Sequence, residues 1–318
     1  MSDLDYIQRD IAEVQQVIQS KLDLVAKYPE RKSVLASISS LRKRQKILEQ
    51  EFLAKSEELR LQVCSYRIFC DLGEDVSRNL TVFPKVLSLF QEAYMLSVEA
   101  TRHGPKSRNR IHDDVLRSSV LSAGYSFAGS MGIVLTVPKK KQKILFDEGS
   151  DHRRAVNRLF NLLHAKSEEA IKEACEKMGL ALIRCVMKYA VVHRENQIGS
   201  DIDWRDGSTT TDSIFLQPKD FEMLCDVIES TTEIEEEDMF ITGMLTATDT
   251  SRKTFKMLTD DDEIITGEYH AQIDENHTVT IPGRYRAEIK CERVIRFSTG
   301  EVVVKYFIED LEPVDDEI

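Results

Sequence analysis

Residues 1–62 read MSDLDYIQRDIAEVQQVIQSKLDLVAKYPERKSVLASISSLRKRQKILEQEFLAKSEELRLQ, and their apolar residues recur mostly in alternating steps of three and four. The first run comprises Leu4, Ile7, Ile11, Val14, Ile18, Leu22 and Val25, and the second comprises Val34, Ile38, Leu41, Leu48, Phe52 and Leu59. Such spacing gives each helix an apolar stripe that a partner helix covers. Because Pro29 cannot continue the first helix, the sequence predicts an antiparallel coiled-coil hairpin over residues 1–62. A hairpin that projects from its domain leaves part of the stripe uncovered, which favours self-association.

The composition is that of a soluble protein with more than one domain. Its 318 residues are 42% apolar and 31% charged, which is enough chain for two globular parts. No segment approaches the roughly 18 uncharged apolar residues of a membrane span, and the polar N-terminus does not resemble a secretory signal. The six cysteines are scattered without a CxxC pair, which is typical of reduced thiols. These features predict a cytoplasmic protein without membrane insertion.

Charge is divided unequally along the chain, whose net charge is −12. Residues 1–143 hold 23 Lys and Arg against 17 Asp and Glu, whereas the remainder holds 20 against 38. The division indicates an electropositive surface on the first part and an acidic surface on the second. Solubility alone is the alternative explanation for the acidic part.

Residues 63–228 have the pattern of an α+β domain. Helical periodicity is clear in residues 151–165 and again in 167–193, whereas residues 115–122 favour a strand. Residues 198–215 are polar and rich in turn-forming residues, which predicts a loop.

The pattern changes after residue 228. Six acidic residues within 229–238 predict a linker between domains. Short alternating segments over 239–318 then predict a small closed β-barrel of SH3-like or OB-like kind. The predicted fold class is therefore α+β, with an N-terminal hairpin, a middle domain and a C-terminal barrel.

One loop concentrates positive charge beside a possible helix end. Residues 102–110 read RHGPKSRNR, and guanidinium groups presented from such a loop can hold phosphate oxygens in pairs of hydrogen bonds. A lysine run at 139–143 could extend the same surface. The candidate nucleic-acid-binding residues are Arg102, Lys106, Arg108, Arg110, Lys139, Lys140 and Lys141. The alternative is a solvated loop whose cations favour the helix C-terminus.

Three other parts of the sequence have residue types that occur in metal or ligand sites. His112, Asp113 and Asp114 suit a divalent cation by residue type, but neighbours on a strand point to opposite faces, so the sequence predicts no metal or cofactor. GYSFAGSMG at 124–132 lacks the lysine of a phosphate loop, which favours a connection between strands. Trp204 could stack on a base or anchor an interface, but packing against a core helix is the simpler interpretation.

The predicted barrel mixes cations with aromatic residues, a combination by which OB-like barrels bind single strands. These residues are Arg252, Lys253, Arg284, Tyr285, Arg286, Arg293, Arg296, Phe255, Phe297 and Tyr306. Because the same region carries a heavy acidic load, including Asp260 to Asp262, a protein-binding barrel is the favoured interpretation.

The order of these parts resembles that of uncharacterised bacterial proteins, some of them encoded among antiviral defence genes. The resemblance is carried by the strand YRIF at 66–69, by GSMGIVL at 129–135 and by ITGMLTATDTSRKTFKM at 241–257. It implies a role in defence and assigns no active-site residue. The sequence thus favours a non-enzymatic interaction protein that self-associates and binds nucleic acid or a protein partner. A metal-dependent nucleic-acid-processing enzyme is the alternative, with His112, Asp113 and Asp114 as ligands.

Overall fold

A computed structural model describes residues 3–30, 32–59, 61–70, 81–126, 131–138, 151–206, 209–269 and 279–314. It divides the chain into two compact units, Met1–Ser230 and Thr231–Ile318. The protein is α+β, because its described residues form eight helices and ten strands in two separate sheets. In the described part of the chain, no helix has both the length and the apolar character needed to cross a membrane.

The first unit contains all eight helices and five of the strands. Its helices are α1 Asp3–Lys27, α2 Lys32–Glu58, α3 Val82–His103, α4 Asp113–Ser118, α5 Asp151–Leu163, α6 Glu168–Met178, α7 Leu180–Asn196 and α8 Pro218–Ser230. Its strands are β1 Leu61–Cys70, β2 Ser122–Ser126, β3 Met131–Pro138, β4 Ile198–Asp206 and β5 Thr209–Leu216, which form an antiparallel sheet in the order β2-β3-β1-β4-β5.

The predicted N-terminal helical pair is present, and one end of it packs on this sheet. Ile11 of α1 and Phe52 of α2 are fully buried in a core that also contains Val63 of β1. The Phe52 ring meets the edge of Tyr125 on β2, with 5.1 Å between the ring centroids. The apolar stripe of the pair is therefore covered partly by the sheet, which makes the pair a layer of the first unit.

The other face of the sheet packs against helices and forms the main core. Trp204 of β4 is 1% exposed, its ring centroid lies 5.0 Å from that of Tyr94 on α3, and its Nε1 donates to Gln62 Oε1 at 3.2 Å. The Tyr66 and Tyr189 hydroxyl groups share a hydrogen bond of 2.5 Å. Burial of these large rings contributes apolar contact that holds α3 and α7 to the sheet.

Three predicted elements of this unit differ from the structure. Residues 198–206 and 209–215 belong to β4 and β5, because Ile198, Ile202 and Trp204 are buried on one face of the sheet and alternate with polar residues on the other face. Residues 113–118 form α4, and the strand predicted over 115–122 begins only at its last residue. The helix predicted over 167–193 is broken at Gly179, whose φ of +85° lies outside the helical region.

The second unit is built from five strands: β6 Thr232–Asp249, β7 Thr254–Thr259, β8 Ile264–Tyr269, β9 Gly283–Arg296 and β10 Val302–Pro313. They close in the order β10-β8-β7-β6-β9, with β8 and β10 parallel and the other pairs antiparallel. The interior is apolar and includes Leu245, Met257, Ala287 and Ile289. The closed strand order makes this a small barrel.

The predicted acidic linker over 229–238 is wrong, because residues from Thr232 onward belong to β6. Strand β6 pairs with β9 from its first residue. Lys290 and Arg293 of β9 form ion pairs with Glu236 at 2.8 Å and Glu237 at 3.4 Å. Cross-strand pairs between opposite charges stabilise the acidic start of β6. Its own composition does not predict a strand, because the stabilising cations are on β9.

Candidate functional site at the end of the third helix

Helix α3 ends where the basic loop begins. Gly104 has a φ of +83°, which only glycine adopts easily, and its N–H still bonds to Ala100 O at 3.1 Å. Pro105 then prevents the helix from continuing. The chain turns back over residues 104–111 and enters α4, whose first helical bond runs from Leu116 N to His112 O at 3.0 Å. This turn brings His112 next to the last turns of α3.

Glu99 is the centre of the site. Its side chain has no exposed surface, and its carboxylate accepts two hydrogen bonds from His112, one from Nδ1 at 2.5 Å and one from the backbone N–H at 2.9 Å. The Lys106 Nζ lies 3.9 Å from the same carboxylate. A buried carboxylate needs such partners, because an isolated charge in this environment would cost several kcal/mol.

His103 completes the cluster from the last turn of α3. Its Nε2 donates to Asp114 Oδ1 at 3.1 Å, and its ring centroid lies 4.2 Å from that of His112. Glu99, His103 and His112 each offer one ligand atom, and these three atoms all lie within 4.8 Å of one another. We call these three residues the Glu99 cluster.

The structure brings together only part of the set His112, Asp113 and Asp114, which the alternative interpretation of the sequence named as metal ligands. His112 belongs to the Glu99 cluster, and Asp114 bonds to its edge, but Asp113 is an exposed residue in the first turn of α4. The prediction missed Glu99 and His103, although a sequence signal for them existed. They stand four residues apart in a predicted helix, and that spacing places both side chains on one face.

Arg102 is one of the predicted nucleic-acid contacts, but its side chain is mostly buried and is bound to other residues of the protein. Its side chain is 10% exposed and binds Asp151 at 3.0 Å, Asp114 at 3.4 Å and Ser118 Oγ at 2.7 Å. Burial would raise the pKa of Asp151, but hydrogen bonds from Arg154 and Arg102 outweigh it and lower that pKa below its ordinary value. Arg102 therefore joins α3 to α4 and α5, where its charge is paired with Asp151 and Asp114, and it is neither an open phosphate contact nor the solvated cation of the alternative interpretation.

The rest of the basic loop is ordered and faces solvent. Lys106 O accepts from Ala181 N at 3.0 Å, Ser107 O accepts from Arg184 Nη2 at 2.7 Å, and Asn109 bonds to Glu92 of α3. These bonds fix the loop between α3 and the start of α7. Arg108 and Arg110 are exposed on it, and Lys106 is half-buried. Lys139, Lys140 and Lys141 lie outside the described residues.

Trp204 is a core residue, as the simpler interpretation of the sequence had it. On the sheet face toward the helical pair, its neighbours Asp201 and Asp203 line a cleft of about 180 Å³ together with Arg67 and Arg205. Burial, followed by the nearby Asp203 charge, raises the pKa of Asp201. The cleft has both signs of charge and does not select a ligand class.

The aromatic residues predicted as base contacts on the barrel are mostly interior. Phe255, Phe297 and Tyr285 are buried, whereas Phe240, which the sequence did not single out, is 64% exposed. The Arg286 guanidinium lies 5.3 Å from the centroid of the Phe240 ring. Arg284 is ion-paired with Asp260 at 2.8 Å.

No family model, no curated protein and no solved structure matches this chain.

Proposed function

We propose that the protein is an interaction protein that binds nucleic acid through the exposed part of the basic loop. The observation that carries the proposal is the ordered display of Arg108 and Arg110, whose loop is fixed on both sides by hydrogen bonds to α3 and α7. A loop that is already ordered loses little conformational entropy when it binds. Guanidinium groups bind phosphate oxygens in pairs of hydrogen bonds, so two arginines on one loop suit a phosphodiester backbone.

The charge of the second unit supports assigning this contact to the first unit alone. Residues 231–318 hold nine Lys and Arg against 22 Asp and Glu. Such a surface repels a polyanion, and the cations of the barrel are partly neutralised by ion pairs such as Arg284–Asp260. The resemblance to defence-associated proteins is the sole support for a role in antiviral defence, which remains part of the proposal.

The double substitution Arg108→Ala/Arg110→Ala is expected to weaken binding to labelled single-stranded DNA or RNA by about tenfold or more at low salt. Removing two phosphate contacts also lowers the slope of log K against log salt by about 1.4, because each contact to a single strand releases about 0.7 of a counterion. Fluorescence anisotropy across a salt series, without added metal, measures both quantities, and duplex probes extend the comparison.

A matched control is Arg252→Ala/Arg293→Ala, which removes the same charge from the barrel. It should leave the affinity and the salt slope within about twofold of the original values, since the contact is local. Equal losses in the two double variants would mean that only net charge matters. An original protein that does not bind any of the probes at low salt would overturn the proposal.

The barrel is proposed to be OB-like and to bind a protein partner with a basic surface. Numbered from β6, its strand order is 1-2-3-5-4 with the third and fifth strands parallel, which matches a five-stranded Greek-key barrel of the OB kind. Exposed Phe240 and Ile264 offer apolar contacts within the acidic surface. Aromatic anchors surrounded by polar residues are typical of protein interfaces.

Self-association through the helical pair is proposed from the outer face of α1. Tyr6 is 48% exposed and Val17 is 43% exposed, and eleven residues along a helix return to nearly the same face. Deletion of residues 1–62 would uncover Val63 and Tyr125, so a surface substitution is the better test.

Tyr6→Glu/Val17→Glu is expected to lower the oligomeric state measured by light scattering, because two charges would have to be desolvated at the interface. Val302→Glu on the barrel is the control, since Val302 is exposed to a similar degree and should leave the mass unchanged. A monomeric original protein at all tested concentrations would exclude self-association.

A further inference from the structure

Two histidines and a buried carboxylate meet at the end of α3. The hydrogen bonds that the carboxylate needs do not account for the presence of both histidines. The Glu99 side chain is fully buried, whereas the His112 side chain that covers it is 49% exposed. His103 stands beside both and is itself hydrogen-bonded to Asp114. A structural role for Glu99 would be satisfied by the His112 backbone N–H and Lys106, and it does not require a second imidazole.

We infer that the Glu99 cluster binds one divalent transition-metal ion of the zinc type. Two imidazole nitrogens and one carboxylate oxygen form a set that suits zinc, cobalt, nickel or iron(II), whereas magnesium and calcium prefer oxygen ligands only. This inference does not rest on nucleic-acid binding, because it concerns different side chains and can be tested with metal alone.

The distances allow such a site with small side-chain rotations. Metal–ligand bonds of about 2.0–2.2 Å place neighbouring ligand atoms of a tetrahedral ion about 3.4 Å apart. The three ligand atoms are now within 4.8 Å of one another. Rotation of the two exposed histidine side chains about their side-chain bonds would supply the remaining closure. The ion would replace the proton that His112 Nδ1 now shares with Glu99.

The residues around the Glu99 cluster are placed to orient its members as metal ligands. The Asp114 carboxylate accepts from His103 Nε2 at 3.1 Å, which orients that ring and leaves its Nδ1 for a ligand bond. Three protein ligands leave at least one coordination position facing solvent, as in sites where the ion binds a water molecule or an external ligand. Lys106 Nζ, 3.9 Å from Glu99, is a competing cation.

The test is titration of the metal-free full-length protein with Zn²⁺ by calorimetry and with Co²⁺ by visible absorption. One ion per chain is expected, and the Co²⁺ spectrum should report nitrogen and oxygen ligands. His103→Ala/His112→Ala should weaken binding at least about 100-fold, since two of three ligands are lost. His164→Ala is the matched control, because His164 is an exposed histidine at the end of α5 and should not change the affinity.

Lys106→Met provides a second measurement, in which the affinity for metal is expected to rise instead of fall. Removing a positive charge a few ångströms from the ion should tighten metal binding by about 3–10-fold. If the cluster is only an ion-pair network, neither Lys106→Met nor the double histidine substitution will change the affinity for metal. Unchanged stoichiometry and affinity in the double histidine variant would assign the metal to another surface and overturn the inference. Failure of the original protein to bind either ion at about 100 μM would do the same.

Discussion

Gly179→Ala is expected to destabilise the first unit by about 4 kcal/mol. Gly179 combines a φ of +85° with a ψ of 157°, a region that is essentially restricted to glycine and costs other residues about 1–3 kcal/mol. An added Cβ would also overlap with the backbone N and O of Lys106, and overpacking of this kind costs about 1–3 kcal/mol more.

The effect reaches the candidate site because the overlap is with the basic loop itself. Lys106 O accepts from Ala181 N at 3.0 Å, two residues after Gly179. A side chain at 179 would push Lys106 away and break this bond. Any Gly179→Ala protein that still folds should therefore lose affinity both for nucleic acid and for Zn²⁺, since Arg108 and His112 both follow the displaced Lys106 in the same short segment.

Gly104→Ala separates the two causes of this loss. Gly104 has a similar φ of +83°, but a Cβ there would meet no atom of the described residues within 4 Å. It should cost only the backbone strain, about 1–3 kcal/mol. Urea unfolding followed by tryptophan fluorescence measures both variants, and the single Trp204 lies in the first unit, so the signal reports that unit alone. Equal losses in the two variants would contradict the role given to the Lys106 contact.

Acidification from pH 7 to pH 4 is expected to remove about 3 kcal/mol of stability through His193 alone. His193 is fully buried between Tyr189 and Phe221, and the ring centroids of His193 and Phe221 lie 4.0 Å apart. Burial lowers the pKa of His193 from 6.5 to about 4, against a smaller raising effect of its hydrogen bond to Ile198 O. Its Nδ1 donates that bond at 3.0 Å, and its Nε2 has no hydrogen-bond partner among the described residues.

The direction of this change in stability follows from the lowered pKa of His193. Between about pH 6.5 and pH 4 the unfolded chain binds a proton at His193 that the folded protein excludes. The stabilisation is therefore complete above pH 6.5 and is lost as the pH falls toward 4. Carboxylates also titrate near the lower limit, so a variant is needed to isolate the histidine.

His193→Phe retains an aromatic ring against Phe221 and cannot be protonated. The difference in unfolding free energy between the original protein and His193→Phe should shift by about 3 kcal/mol between pH 7 and pH 4, in favour of the variant at low pH. His164→Phe is the control, because His164 is exposed and its substitution should leave the pH profile unchanged. A constant difference between the original protein and His193→Phe across this range would mean that the buried histidine is not neutral.

Periodicity made some elements predictable from the sequence. The helical pair was predictable because its apolar residues repeat along each helix and Pro29 separates them. The barrel strands were predictable because apolar residues alternate toward a common interior. The acidic start of β6 was not, because its stabilising partners Lys290 and Arg293 are more than fifty residues away in the chain.

Some features of the candidate site were likewise predictable from the sequence, and others were not. Local sequence is enough to predict the end of α3 at Gly104-Pro105, the cations that follow, and the spacing that puts Glu99 and His103 on one face. The return of His112 to Glu99 and the enclosure of Arg102 by Asp151 and Asp114 depend on tertiary contacts that no local pattern contains. The physical reason is that a local pattern fixes the direction of a side chain on its own helix, whereas burial and pairing of charges depend on which distant segments the chain brings beside it.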